Sequence, residues 1–353
     1  MNHTKIVKIN PRLPEKEPIF EAAEVLRAGG LVIIPTETVY GIAANMLNPR
    51  TMDKLYEVKQ RPKDKPFTVH ISNKSQVYDF ASDIPVAAFK LMERFWPGPL
   101  TLLLRSNTLS KVGLRMPDEN IALWVIAASR VPVVCPSANL SDKPAPMRFE
   151  DAIKDMDGLV DFAIDAGETK LGVESSIVDL TTSPLQVVRS GVLSKETIES
   201  VANKKHILFV CTGNSCRSVM AEAYLKKVLE KNGRTDVDVS SAGIMMLSGL
   251  GASEETREVL KQEGIDANMH RSRRVTQDLI RSSDLILVME GIHREKVLEL
   301  APEARNRLFL LKEFAKINNG SLDIPDPIGN SLEFYEDTFD IIKDAVERIA
   351  KII

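Results

Sequence analysis

Cys211-Thr212-Gly213-Asn214-Ser215-Cys216-Arg217-Ser218 lies between a short apolar run, His206 to Val210, and a helical pattern, Ser218 to Leu229. A strand that feeds a tight loop into a helix N-terminus gathers backbone N–H groups around one point and so builds an anion cradle. Cys211 stands at the floor of that cradle, and Arg217, six residues on, can fold back over it. The helix terminus and a guanidinium both favour the thiolate, so a depressed thiol pKa is expected for Cys211. A thiolate beneath a phosphate-shaped pocket attacks phosphorus. The bland alternative is a structural strand–helix turn with incidental cysteines.

The 353 residues exceed the usual size of one domain, so two are expected. The boundary falls near 203–205, after the strand-like Val187–Arg189 and a short helix opened by Ser194-Lys195-Glu196-Thr197. This predicts domains 1–203 and 204–353, with no low-complexity linker and no internal repeat. Lys plus Arg number 24 against 25 acids in the first and 22 against 24 in the second. Neither half carries the positive excess of a constitutive nucleic-acid binder, so anions must be bound in local pockets. No apolar stretch is long enough for a bilayer, Met1 to Lys5 lack the apolar core of a signal peptide, and three cysteines make no disulfide framework. A cytoplasmic protein with no membrane partner is expected.

In the second half, apolar strands at Ile207–Val210, Val237–Ser240, Asp284–Met289 and Arg307–Leu311 alternate with amphipathic helices. That alternation predicts a three-layer α/β domain, a parallel sheet with helices on both faces and the cysteine loop at a carboxyl edge. Cys-x5-Arg-Ser at its start resembles the low-molecular-weight protein tyrosine phosphatases. The resemblance continues through Ser241-Ala242-Gly243, His270-Arg271-Ser272-Arg273, Ser283 to Met289 and Asp326-Pro327. It implies Cys211 as nucleophile, Arg217 as holder of the phosphoryl oxygens and Asp326 as general acid, then base. Thr212, Gly213, Asn214, Ser215, Cys216 and Ser218 complete the phosphate loop, with Ser218 donating to the thiolate and Asn214 shaping the turn. Ser241 and His270 are read as structural.

Tyrosine-directed members of that family commonly have a bulky aliphatic residue at the position of Ser215 and aromatics after Asp-Pro. This chain has Ser215 and Ile328-Gly329. A small hydroxyl residue there is similar to the YwlE-type protein arginine phosphatases, which have threonine. Missing aromatics remove the walls that would stack on a tyrosine ring. Phosphoarginine proteins are therefore the favoured substrates, phosphotyrosine second. Arsenate reductases share the loop but need a later cysteine, and none follows Cys216. Cys216 has two readings, a reversible disulfide partner of Cys211 or a packing residue.

In the first half, the buried run Leu31–Pro35 ends at Thr36-Glu37-Thr38-Val39-Tyr40-Gly41, and a helix (Arg50–Val58) leads into the cationic loop Lys59–Pro66. Strand-like runs follow at Phe67–Ile71, Pro97–Leu104, Gly113–Pro117, Val133–Asn139, Glu174–Asp179 and Val187–Arg189. They predict a twisted, mostly β α/β sheet with a concave face fringed by cations and hydroxyls, suited to a nucleotide triphosphate. These segments, in this order, resemble the YrdC-type (TsaC) L-threonylcarbamoyladenylate synthases, with the Lys59-x-Arg61 and Ser137-x-Asn139 signatures the specific part.

The resemblance implies condensation of L-threonine, bicarbonate and ATP to threonylcarbamoyl-AMP, for use by downstream tRNA-modification proteins. Lys59, Arg61, Ser137, Asn139 and Arg189 would bind ATP. Thr36, His70, Arg115 and Ser176, or its neighbour Ser175, would line the threonine pocket. Mg2+ is expected with ATP, and no residue is assigned to hold a metal. The competing possibility is a non-catalytic RNA-binding module, against which the near-neutral charge speaks.

Overall fold

The computed structural model describes residues 3–353 except 109, 142, 246, 247 and 319. Met1 and Asn2, part of the segment expected to lack an apolar leader core, lie outside them. The chain divides into two compact units, Met1–Ala202 and Asn203–Ile353.

Among its described residues the first unit holds ten strands: β1 (Lys5–Lys8), β2 (Val32–Ile34), β3 (Gly41–Asn45), β4 (Val69–His70), β5 (Leu100–Arg105), β6 (Lys111–Arg115), β7 (Val133–Val134), β8 (Phe162–Asp165), β9 (Ser176–Asp179) and β10 (Gln186–Arg189). They form one mixed sheet in the order β1-β8-β2-β3-β7-β4-β6-β5-β9-β10. Strand periodicity splits the apolar residues between its two faces. Val32 and Ile34 pack with Ile19, Leu26 and Val125, whereas Ile33 packs with Ile42, Leu102 and Leu114.

Among the described residues, five α-helices of this unit lie outside the expected pattern: Lys16–Arg27, Val77–Phe80, Val86–Phe95, Asn120–Ser129 and Phe149–Lys154. Asn120–Ser129 is apolar almost all round (NIALWVIAAS), so no 3.6-residue stripe marks it. The expected helix is present as Pro49–Lys59. The Asn48 side chain caps it, accepting from Arg50 N and Thr51 N, and Pro49 occupies the first turn, where a missing N–H costs nothing. Gln60, left-handed at φ 48°, ends it and turns the chain into the Arg61 loop.

The second unit has four parallel strands, β11 (Lys205–Cys211), β12 (Val237–Gly243), β13 (Leu285–Val288) and β14 (Leu308–Leu310), ordered β12-β11-β13-β14. Both faces of β11 are covered, which is why it reads as a continuous apolar run. Ile207 and Phe209 pack with Met220, Leu225, Phe339 and Ile342, and Leu208 and Val210 with Val275, Ile280 and Val297. The helix Arg217–Lys231 starts where the cysteine loop ends, at the carboxyl edge of this central strand. Among the described residues, no helix is long and apolar enough to cross a membrane.

Candidate active sites

A cavity of about 130 Å3 opens in the first unit, and seven of the expected residues line it: Thr36, Arg61, His70, Arg115, Ser137, Ser175 and Arg189. Strand pairing assembles them. His70 and Arg115 sit at one level because β4 and β6 run parallel with these residues in register. Gly41 brings β3 against Cys135 and Pro136, where a Cβ would meet Cys135 Sγ at 2.4 Å. Thr36 Oγ1 donates to Val39 O at 2.6 Å and closes its own turn.

Carboxylates hold two of the arginines. Arg115 Nη2 donates to Glu37 Oε1 and Thr38 Oγ1, both at 2.7 Å, inside a pair only 6% and 3% exposed. Glu37 Oε2 is buried with no hydrogen bond. Arg189 donates to Glu174 Oε1 at 2.7 Å and to Ser175 O at 2.9 Å. Arg61 instead donates to the carbonyls of Lys65 and Pro66 and lies over the Phe67 ring, which folds the basic loop onto itself.

Three expected residues are not brought to the cavity. Lys59 is only 3% exposed, and its ammonium donates to Ser137 O, Asn139 O and Asn139 Oδ1. These bonds use its three hydrogens, so Lys59 supports the 137–139 turn from beneath rather than presenting a charge. Burial, helped by Arg61, pushes its pKa down to about 8. Asn139 is consumed in the same turn, its Nδ2 donating to Leu140 O and Lys143 O. Ser176 faces away: its hydroxyl donates to Leu193 O and accepts from Gly191 N and Leu193 N, whereas Ser175 Oγ meets Thr101 Oγ1 at 2.9 Å.

In the second unit, Asn214 is the keystone of the cysteine loop. It is left-handed at φ +54°, a conformation asparagine tolerates better than most residues. Gly243 lets the loop lie close against β12; a Cβ there would meet Thr212 O at 2.7 Å. Asn214 Nδ2 donates to Ser218 Oγ (3.0 Å) and Ser241 Oγ (2.7 Å), and Ser241 donates to Glu222. This leaves the one hydrogen of Ser218 for Cys211 Sγ, 2.9 Å away. The Asn214 backbone N–H also reaches Cys211 Sγ, at 3.3 Å.

Arg217, 1% exposed, donates to Glu290 Oε2 and Ile324 O at 2.7 Å, to Thr212 Oγ1 at 3.2 Å and to Asp326 Oδ2. Arg217 thus ties Asp326 to the cysteine loop, and its charge is felt at the Cys211 thiol. The expected depression of the Cys211 pKa is not found, and its thiol sits above the ordinary value. Burial outweighs the Ser218 hydroxyl, the backbone amides and Arg217, whose charge is already spent on two carboxylates. Cys216 Sγ lies 3.6 Å from both Ser253 Oγ and Tyr335 OH, and all three cysteines are free thiols. Ser241 and His270, read as structural, both hold Asn214; His270 Nε2 donates to Asn214 O at 2.8 Å.

Burial pushes His293 down to about 4 and His70 down to about 3. Their unfolded counterparts take up a proton below about 6.5. Between pH 6.5 and 4 the unfolded chain therefore binds more protons, and stability falls as pH falls through that window. Thermal melts from neutral to mildly acid pH should show this loss, and His293→Gln should shrink it. An identical pH slope in that variant would exclude a buried neutral His293 as a source.

Sequence reasoning missed Glu37, Glu174, Glu290 and His293. Each completes a site from a distant segment, and lone acids or a lone histidine carry no local signal. Glu37 and Glu174 stood in view, inside the Thr36–Gly41 and Glu174–Asp179 runs, but nothing local marked them as partners of Arg115 and Arg189.

Two family models match the chain. Sua5_yciO_yrdC, described as "Telomere recombination", covers residues 24–191, and low molecular weight phosphotyrosine protein phosphatase covers residues 206–353. Threonylcarbamoyl-AMP synthase of Pyrococcus abyssi is 40% identical over 227 residues, 62% of this chain and 66% of that protein, so this chain spans slightly less than two thirds of its length. Protein-arginine-phosphatase of Geobacillus stearothermophilus is 39% identical over 145 residues, 41% of this chain and 93% of that one. A crystal structure of P. abyssi Sua5 complexed with L-threonine matches with a TM-score of 0.55 and 25% identity, over 97% of this chain and 98% of that chain. The chain therefore belongs to two families, the Sua5/YciO/YrdC family through its first unit and the low molecular weight phosphotyrosine protein phosphatases through its second.

Proposed function

We propose that the chain is a bifunctional enzyme. Its first unit makes L-threonylcarbamoyladenylate from L-threonine, bicarbonate and ATP, feeding threonylcarbamoylation of tRNA, and its second removes phosphate from proteins.

The observation that supports the synthase is the convergence of Arg115, Arg61 and Arg189 with His70, Thr36 and Ser175 on one small cavity. A P. abyssi relative holds L-threonine. Here Arg115 offers the substrate carboxylate a guanidinium, and neutral His70 and the Thr36 and Ser175 hydroxyls offer bonds to its polar groups. The reaction needs the carbamate oxygen placed against the α-phosphorus more than it needs a strong base. The new C–O–P linkage forms as the bond to pyrophosphate breaks, and arginines near the departing oxygens stabilise their charge.

Mg2+ would enter bound to ATP. The cavity lining provides one carboxylate, Glu174, already paired with Arg189, and the described residues contain no cluster of three His, Cys, Asp or Glu side chains. That donor set does not fit a protein-held ion, and no step is assigned to one. Pyrophosphate release that requires threonine and bicarbonate together tests the synthase. RNA binding without turnover would favour the non-catalytic module instead.

For the second unit, the supporting observation is Arg217, which bonds both Thr212 of the Cys211 loop and Asp326. Cys211 loses its proton to Asp326 as its sulfur attacks phosphorus, and the bond from phosphorus to the leaving atom breaks as Asp326 hands that proton to it. Asp326, now ionised, takes a proton from the water that hydrolyses the S–P bond, and phosphate leaves with the thiol restored. Phosphoarginine is favoured over phosphotyrosine. Ser215 is small and polar, and Ile328, 63% exposed, follows Asp326-Pro327 where an aromatic wall would be needed. Ser215→Ile should shift the phosphoarginine-to-phosphotyrosine ratio of kcat/KM towards tyrosine by about tenfold, the scale of one hydrogen bond to a charged group. An unchanged ratio in side-by-side peptide assays would remove Ser215 from specificity.

A further inference from the structure

A second cavity in the Asn203–Ile353 unit, about 780 Å3 in volume, lies outside the site just described. Val219, Ala223, Val239 and Ile265 give it an apolar part, and four cations, Lys226, Lys227, Arg271 and Arg273, stand around it against three acids, Glu222, Glu230 and Asp266. The volume is that of a pocket for a drug-sized molecule rather than for an inorganic ion.

Among the arginines of the proposed active sites, Arg61, which bonds carbonyls, lacks a carboxylate partner among the described residues. Arg115, Arg189 and Arg217 each rest on a carboxylate, and Lys226 and Lys227 are paired with Glu222 and Glu263. Arg271 and Arg273 have no carboxylate partner among the described residues. Arg271 Nη1 donates only to the carbonyls of Asn268 and His270, and Arg273 Nε only to Ser241 O. Two guanidiniums with unspent charge beside an apolar part fit a ligand with an acidic head and an apolar body.

The wall of this cavity is also the support of the nucleophile loop. His270 Nε2 donates to Asn214 O, and Arg273 N donates to Asn214 Oδ1 at 2.9 Å. Ser241 accepts from Asn214 Nδ2 and donates to Glu222. Three lining residues therefore clip the left-handed Asn214, which in turn orients Ser218 towards Cys211. A ligand drawn to Arg271 and Arg273 pulls on the segment that holds the loop.

We infer that this cavity is a second binding site, for a small organic anion with an apolar body, and that its occupancy alters phosphatase turnover through Asn214. Binding stands apart from the phosphatase assignment, whereas the effect on turnover rests on it. The probe is anilinonaphthalenesulfonate, titrated into the full chain by fluorescence and tested on p-nitrophenyl phosphate hydrolysis. Saturable emission is expected, undiminished by inorganic phosphate, with a changed kcat and an unchanged KM. Arg271→Glu, an exposed change, should weaken probe binding about tenfold, the scale of one charge-assisted hydrogen bond. Ala223→Phe should fill the apolar part and abolish binding.

Emission lost to competing phosphate, or equal in both variants, would overturn the site. Binding that leaves hydrolysis unaltered would overturn the coupling. A chain that binds the probe as expected but hydrolyses no phosphate ester would refute the phosphatase assignment and not the cavity.

Discussion

Cys211→Ser should bring hydrolysis of phosphoarginine and phosphotyrosine peptides down to background, a loss of about 10,000-fold or more, as for other nucleophile deletions. A serine hydroxyl in that position would need a base, and the loop has none to spare. His293 is committed to Thr212 Oγ1 and the Glu290 N–H, and Asp326 to Arg217. Ser218 offers Cys211 a hydrogen rather than taking one. Because the cysteine loop and the threonine cavity belong to separate compact units, threonine-dependent pyrophosphate release should stay within about twofold of the unaltered chain, as for non-coupled sites. Parallel assays on one preparation check both. Loss of both activities would mean that the two sites are not independent.

Arg115→Met should abolish pyrophosphate release and also destabilise the chain by about 3–5 kcal/mol, the cost of leaving a buried carboxylate without its partner. Glu37 is the group left stranded: its buried Oε2 already lacks a hydrogen bond, and Arg115 supplies the only ion pair of its Oε1 among the described residues. The double variant Arg115→Met with Glu37→Gln removes the stranded charge. It should recover most of the stability in a denaturant melt and none of the pyrophosphate release. Recovery of both would show that Arg115 acts only on the fold and does not hold substrate.

The cysteine loop was legible because its chemistry is local: nucleophile, turn and arginine lie within eight consecutive residues, flanked by an apolar strand and a helix. The sheets were legible where apolar runs are short and bounded, as at Val32–Ile34 and Leu285–Val288. Asn120–Ser129 was not, because an apolar helix has no polar face to set its period. Lys59 shows a different limit. The family resemblance placed a cation beside Ser137 and Asn139, and it is there, but pointing into their carbonyls. A one-dimensional pattern holds no information on which way a flexible side chain turns. Cys211 shows a third: its burial and the two carboxylates on Arg217 come from segments about 80 to 110 residues away, and together they reverse the expected direction of its pKa.

The bond between Arg217 and Asp326 gives the phosphatase an interlock. While the guanidinium of Arg217 grips Asp326 Oδ2, that oxygen is engaged and not free to act on a leaving group. Only a newcomer carrying more negative charge than a carboxylate can compete for that grip, and a phosphoryl dianion does. Cargo arrival and release of the acid are then one event, and a neutral look-alike of the same shape leaves the mechanism locked.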